Sequence, residues 1–237
     1  MELVLSLIAG LGTVAGAGIL VFFGRLQPKT LAFLLGIAAG VMAAVVLFDL
    51  IPASLAYGRP LAALAGFVAG LALLALTGAV LNLLERGTTE GSVFLRMGYL
   101  IATGIALHDL PEGLAIAAGF ATSSIGPFLA LAIGLHNVPE GLAVATPLRY
   151  GGMGSTRVIG LCVLISFVTP LGTLLGQTAI RAHGALIGPL LALAAGAMSY
   201  IVLEELWPKS RQLGARSAYL GLTAGFGFMY GLTLVAH

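Results

Sequence analysis

Long apolar stretches, with Lys and Arg only at their ends or in the gaps between them, decide what this chain can fold into. They lie near residues 3–23, 31–56, 61–84, 97–119, 127–147, 158–181, 185–206 and 217–236. A helix that crosses a bilayer needs about 20 mostly apolar residues, and in hydrocarbon each backbone N–H and C=O must find its partner within the protein. The expected architecture is therefore all-α: a polytopic membrane protein whose single domain, residues 1–237, is a bundle of eight transmembrane helices. The gaps between runs, such as Tyr57 to Pro60 and Glu85 to Arg96, are too short to hold a soluble domain. Charged residues make up only 8% of the chain, against roughly 25% in an ordinary soluble domain, so no water-facing surface can be built. Glu2 stands where a signal peptide would carry positive charge, and the first run is read as a retained helix.

Cytoplasmic loops of membrane proteins carry the excess of Lys and Arg. Alternate gaps hold Arg25, Lys29, Arg86, Arg96, Arg149, Arg157, Lys209, Arg211 and Arg216 on one side, but only Arg59 and Arg181 on the other. That asymmetry puts both termini outside the cytoplasm, in a multi-pass protein of the cell membrane. The formal net charge is only +2, spread over these gaps with no basic stripe, which excludes nucleic acid as a partner. The one cysteine, Cys162, allows neither an internal disulfide nor a cysteine-based metal site. The 34 glycines recur beside alanine within the runs, as at Gly36 and Gly40 or Gly66 and Gly70, a pattern that lets transmembrane backbones pack closely.

The chemistry is concentrated in two related segments, GIALHDLPEGLAIA around His108 and AIGLHNVPEGLAVA around His136. Each reads His-x-x-Pro-Glu-Gly, and a short connection forces the two helices, about 97–119 and 127–147, to run antiparallel. Residues four apart share a helix face, so His108 points with Glu112 and His136 with Glu140. Asp109 and Asn137 lie three residues before the same glutamates, so each Glu can serve two neighbouring sites. Pro111 and Pro139 lack an N–H and leave the carbonyls of Leu107 and Leu135 without their helical donor, which suggests a locally opened backbone lining a polar cavity. An ionisable side chain at membrane depth costs about 3 kcal/mol on insertion scales. Two His, two Glu and one Asp in two adjacent helices therefore call for an ion to compensate them. Imidazole with carboxylate suits a borderline divalent transition metal, Zn²⁺ first and Fe²⁺ or Mn²⁺ behind it. Protons compete for the same ligands, so metal binding is expected to weaken in acid. The rival reading is an intramembrane metal-dependent hydrolase, since the same ligands can activate water.

At these residues the chain resembles the ZIP family of divalent-metal transporters, and its bacterial members in particular. Their fourth and fifth helices carry His-Asn-x-Pro-Glu-Gly and a related motif, and the likeness extends over essentially the whole chain. The resemblance implies a binuclear centre at mid-membrane, one site near His108, Glu112, His136 and Glu140, the second using Asp109, Asn137 and the shared glutamates. Asp109 stands where Asn is usual. Thr169, in FVTPLGT, stands where bacterial relatives often carry Glu, so the second site loses one carboxylate that Asp109 offsets. Met42 resembles the position offering a soft side chain to the first site, as a secondary ligand candidate. Asp49 is implied at the outer entrance of the pathway, Glu204 and Glu205 at the inner exit. Relatives with a His-rich loop between helices three and four imply metal capture there, but the stretch from Glu85 to Arg96 has no histidine. The resemblance also implies a homodimer and uptake into the cytoplasm of Zn²⁺, with Fe²⁺, Mn²⁺ or Cd²⁺, as transported substrate with no permanent cofactor, an uptake expected to fall in acid.

Overall fold

The computed structural model describes residues 1–23, 27–84, 90–122, 126–182 and 187–236, with the side chains of Pro111, His136 and some others outside that description. Every regular element among the described residues is helical: α1 (Glu2–Phe23), α2 (Pro28–Ala44), α3 (Ile51–Tyr57), α4 (Pro60–Leu84), α5 (Glu90–Thr122), α6 (Gly126–Tyr150), α7 (Ser155–Ser166), α8 (Val168–Ala182), α9 (Ile187–Tyr200) and α10 (Trp207–Ala236). Six described stretches are long and apolar enough to cross a membrane: 2–22, 28–57, 60–80, 91–114, 155–178 and 188–231.

Two six-residue π-helical segments, Val45–Leu50 and Ile201–Leu206, link α2 to α3 and α9 to α10. Each sits just before a proline, Pro52 or Pro208. The wider π turn relieves the clash between a proline ring and the carbonyl one turn back, so the chain crosses the proline without leaving the helical path. The 208–216 connection expected from sequence is accordingly helical, with its bend confined to Gly214, where φ is 171° and ψ 93°. The 158–181 run, by contrast, breaks at Phe167 into α7 and α8. Both motif helices run unbroken through their prolines, so the opened backbone expected there is not what forms.

The packing reveals a repeat that hydropathy alone conceals. Thr13, Gly16, Gly40, Met42, Val46, Asp49, Leu50 and Pro52 recur, at a constant offset of 156 residues, as Thr169, Gly172, Gly196, Met198, Val202, Glu205, Leu206 and Pro208. The contacts obey the same correspondence. Gly66 and Gly70 of α4 press on the carbonyls of Pro189 and Leu193 in α9, while Gly221 and Gly225 of α10 press on those of Phe33 and Ile37 in α2. Likewise α1 packs along α6 and α8 along α5: Gly16 meets the Val138 carbonyl and Gly172 that of Leu110. Two repeated stretches, about 13–70 and 169–225, thus pack on either side of the motif pair α5–α6, each small-residue seam letting backbones meet where side chains would hold them apart. The resulting core centres on α2, with Leu31, Leu35, Ala38, Ala39, Val41, Met42 and Ala44 all buried. Apolar side chains on the outside, among them Leu61, Leu64, Val68 and Leu76 of α4, are exposed in a belt suited to lipid.

Candidate metal centre

The two motifs meet inside the bundle. His108, Asp109, Asn137 and Glu140 are fully buried and Glu112 is 5% exposed. On α5, Nε2 of His108 lies 2.7 Å from Oε1 of Glu112, one turn on, and 3.7 Å from Oε1 of Glu140 on α6. The four-residue spacing and the antiparallel pairing inferred from sequence thus bring three ligating groups from two helices to one point. Asp109 sits within electrostatic reach of both glutamates, so three carboxyl groups share one buried volume. The side chain of His136 lies outside the described residues.

The neighbouring helices supply the rest of the polar lining. Asn137 donates from Nδ2 to the carbonyl of Ala9 on α1 at 3.1 Å, which fixes the amide and turns its Oδ1 away. Among the described residues that oxygen accepts no hydrogen bond, and neither do the two oxygens of Asp109 or the hydroxyl oxygens of Thr13 and Thr169, all buried. The Thr169 hydroxyl approaches Asp109 without closing a well-formed hydrogen bond. Leaving a buried polar atom unmade costs about 1–3 kcal/mol, so this set of oxygens is unfavourable unless something else coordinates them. The glycine of each motif explains how the helices come so close. Gly113 lies against the backbone of Thr169 in α8, and Gly141 against the backbone of Thr13 in α1, positions where a Cβ would overlap main chain. Thr13, the repeat mate of Thr169, belongs to no local motif; the constant offset between the repeats is the signal that finds it.

Among the described residues no three His, Cys, Asp or Glu side chains already form a cage for a metal. The distances show why. Ligand atoms about 2.1 Å from a tetrahedral zinc stand roughly 3.4 Å from one another. The 3.7 Å between His108 and Glu140 suits that geometry, whereas the 2.7 Å between His108 and Glu112 has to open by about 0.7 Å, a small rotation of the glutamate.

The other residues singled out in the sequence lie outside this cluster. Met42 is fully buried in α2 and its repeat mate Met198 is 1% exposed in α9. Asp49 is half-buried in the first π segment, where the Thr233 hydroxyl stands 3.4 and 3.5 Å from its two oxygens. Glu204 is exposed in the second π segment, while Glu205 is buried and engaged by Arg96. Arg96 was expected in a loop; α5 begins at Glu90 and carries it inside the helix, where the carboxylate of Glu205 makes its charge tolerable.

The profile of the ZIP zinc transporters matches residues 84–233, which include both motifs. The chain belongs to the ZIP zinc transporter family. Among its relatives, the zinc transporter ZupT of Chlorobium chlorochromatii is 31% identical over 98% of this chain and 94% of its own length. ZupT of Corynebacterium glutamicum is 34% identical over 95% of both chains. The zinc transporter GufA of Myxococcus xanthus is 39% identical over 54% of this chain and 51% of its own. As a member of the ZIP family the chain is a multi-pass membrane transporter of the cell membrane and not an enzyme, which sets the hydrolase reading aside.

Proposed function

We propose that the chain carries Zn²⁺, with Fe²⁺, Mn²⁺ or Cd²⁺ as further substrates, into the cytoplasm through a binuclear site between α5 and α6. The observation that carries this reading is the convergence of His108, Glu112 and Glu140 on one buried point, at 2.7 and 3.7 Å. The first ion is held there, completed by His136 and, as a soft ligand, Met42. The second takes Asp109, the free lone pairs of Asn137 Oδ1 and the far sides of the shared glutamates, with Thr169 as a neutral neighbour. The unpartnered oxygens of Asp109 and Asn137 support that assignment. Imidazole and carboxylate together fit a borderline divalent ion better than magnesium or calcium.

The path reads from Asp49 at the outer end through the paired motifs to Glu205 and Glu204 at the inner end. Eight crossings by one domain spanning residues 1–237 follow if α6 crosses and the 44-residue span 188–231 crosses twice about its bend at Gly214; both termini then lie on one side, which the excess of Lys and Arg in alternate gaps makes the outside. Assembly as a homodimer, implied by the resemblance to the family, completes the proposal.

Purified protein in liposomes loaded with a zinc-sensitive dye tests it. The native chain should fill the vesicles with zinc, whereas Glu112→Ala should leave them as slow as protein-free liposomes. Equal filling by both would remove the motifs from the pathway.

A further inference from the structure

The two repeats place one carboxylate each at equivalent positions, Asp49 and Glu205. Asp49 meets the hydroxyl of Thr233 at 3.4 and 3.5 Å. Glu205, 7% exposed, is gripped by both terminal nitrogens of a guanidinium, Arg96 Nη1 at 3.1 Å from Oε1 and Nη2 at 3.4 Å from Oε2. The fork arrangement engages both oxygens at once, leaving each with its outer lone pair alone. Arg96 belongs to the motif helix itself, twelve residues before His108, or about 18 Å along α5. Its own side chain is 21% exposed, so it has room to swing toward water.

A buried carboxylate with no fixed counter-cation at the end of a metal pathway is a trap, because a divalent ion arriving there gains more than a monovalent one and leaves slowly. We propose that Arg96 is a tethered competitor that keeps Glu205 from retaining the transported ion. An arriving metal displaces the guanidinium, Glu205 passes from one cation to the other, and the return of Arg96 to the same two oxygens drives the metal out to the exposed Glu204 and the cytoplasm. Arg96 is thus a positioning residue for release and touches neither of the mid-membrane sites. The inference rests on the transport reading above and adds a step to it.

The test joins zinc stoichiometry to transport kinetics in Arg96→Gln, Arg96→Lys and the double variant Arg96→Gln/Glu205→Gln. Arg96→Gln should hold one more zinc per chain than native. Its kcat should fall at least threefold, with KM for external zinc falling alongside, because release slows while capture does not. Removing the trap in the double variant should return both stoichiometry and kcat toward native, and Arg96→Lys, which keeps the charge, should stay close to native. A second substitution that rescues the first is not what loss of a merely structural tie produces. An unchanged zinc count in Arg96→Gln, a faster kcat, or a loss that the double variant fails to reverse would overturn the inference while native transport stands. A native chain that binds zinc but fills no vesicles would instead overturn the transport reading, and the release step with it.

Discussion

Replacing Gly141 by Ala adds one methyl group at the tightest point between a motif helix and its neighbour. The new Cβ would fall on the backbone of Thr13, overlapping its carbonyl oxygen and lying 2.7 Å from its carbonyl carbon and 2.9 Å from its Cα. Ordinary carbon contacts stand at about 3.5–4.0 Å, and main chain cannot rotate out of the way as a side-chain tip can. The helices α1 and α6 must therefore separate by about 1 Å. Forced overpacking of this kind costs about 1–3 kcal/mol, or a drop in Tm of roughly 2–10 °C for a chain of this size. The same shift stretches the 3.1 Å hydrogen bond from Asn137 to the Ala9 carbonyl beyond the range in which it counts as one, so the amide loses its orientation at the second site. Gly18→Ala is the matched control. It lies on α1, the helix that Gly141 presses against, but an added Cβ there meets nothing within 4 Å, and the gain in helix propensity leaves stability unchanged or raised by up to about 1 kcal/mol. Thermal unfolding in detergent and zinc uptake in liposomes, measured side by side, should show Gly141→Ala impaired in both and Gly18→Ala in neither. A Gly141→Ala protein as stable and as active as native would refute the close-approach reasoning.

Three further outcomes follow from the site. Asp109→Asn restores the residue usual in the family and removes one of three crowded carboxylates; it should change the ranking of zinc against manganese in competition uptake, and an unchanged ranking and rate would mean Asp109 does not compensate for Thr169. Thr169→Val removes a buried hydroxyl that makes no hydrogen bond among the described residues, so stability should hold or rise while affinity at the second site, followed by zinc titration, changes less than threefold; a larger loss would make Thr169 a ligand. Asn137→Leu deletes both the donor to Ala9 and the proposed ligand oxygen, and should lower stability by about 1 kcal/mol together with loss of one bound zinc per chain.

How much of this could be read from residues alone depends on how local the determining physics is. Membrane insertion is set by runs of about 20 residues, so the helices were legible, and the i, i+4 geometry of one helix turn made the His108–Glu112 pair legible too. The path through Pro52 lies within the 31–56 run, but the one through Pro208 was not legible, because a proline can be absorbed by a break or by a π segment, and only packing against the neighbouring helices decides between them. The charge of Arg96 points to a loop, yet a charge inside a helix is tolerated once a distant residue, Glu205, closes an ion pair with it. That pairing is a tertiary fact. Thr13 and Met198 were missed for a different reason: the repeat that ties them to Thr169 and Met42 is carried by a few identities spread over 156 residues of otherwise interchangeable apolar side chains.

The central claim, a pair of metal ions sharing Glu112 and Glu140, is tested most directly by counting zinc bound to the purified chain at equilibrium. Native protein should hold two ions, Asp109→Ala/Asn137→Ala one, and Glu112→Ala/Glu140→Ala none at mid-membrane. Two ions still bound after loss of both glutamates would contradict it.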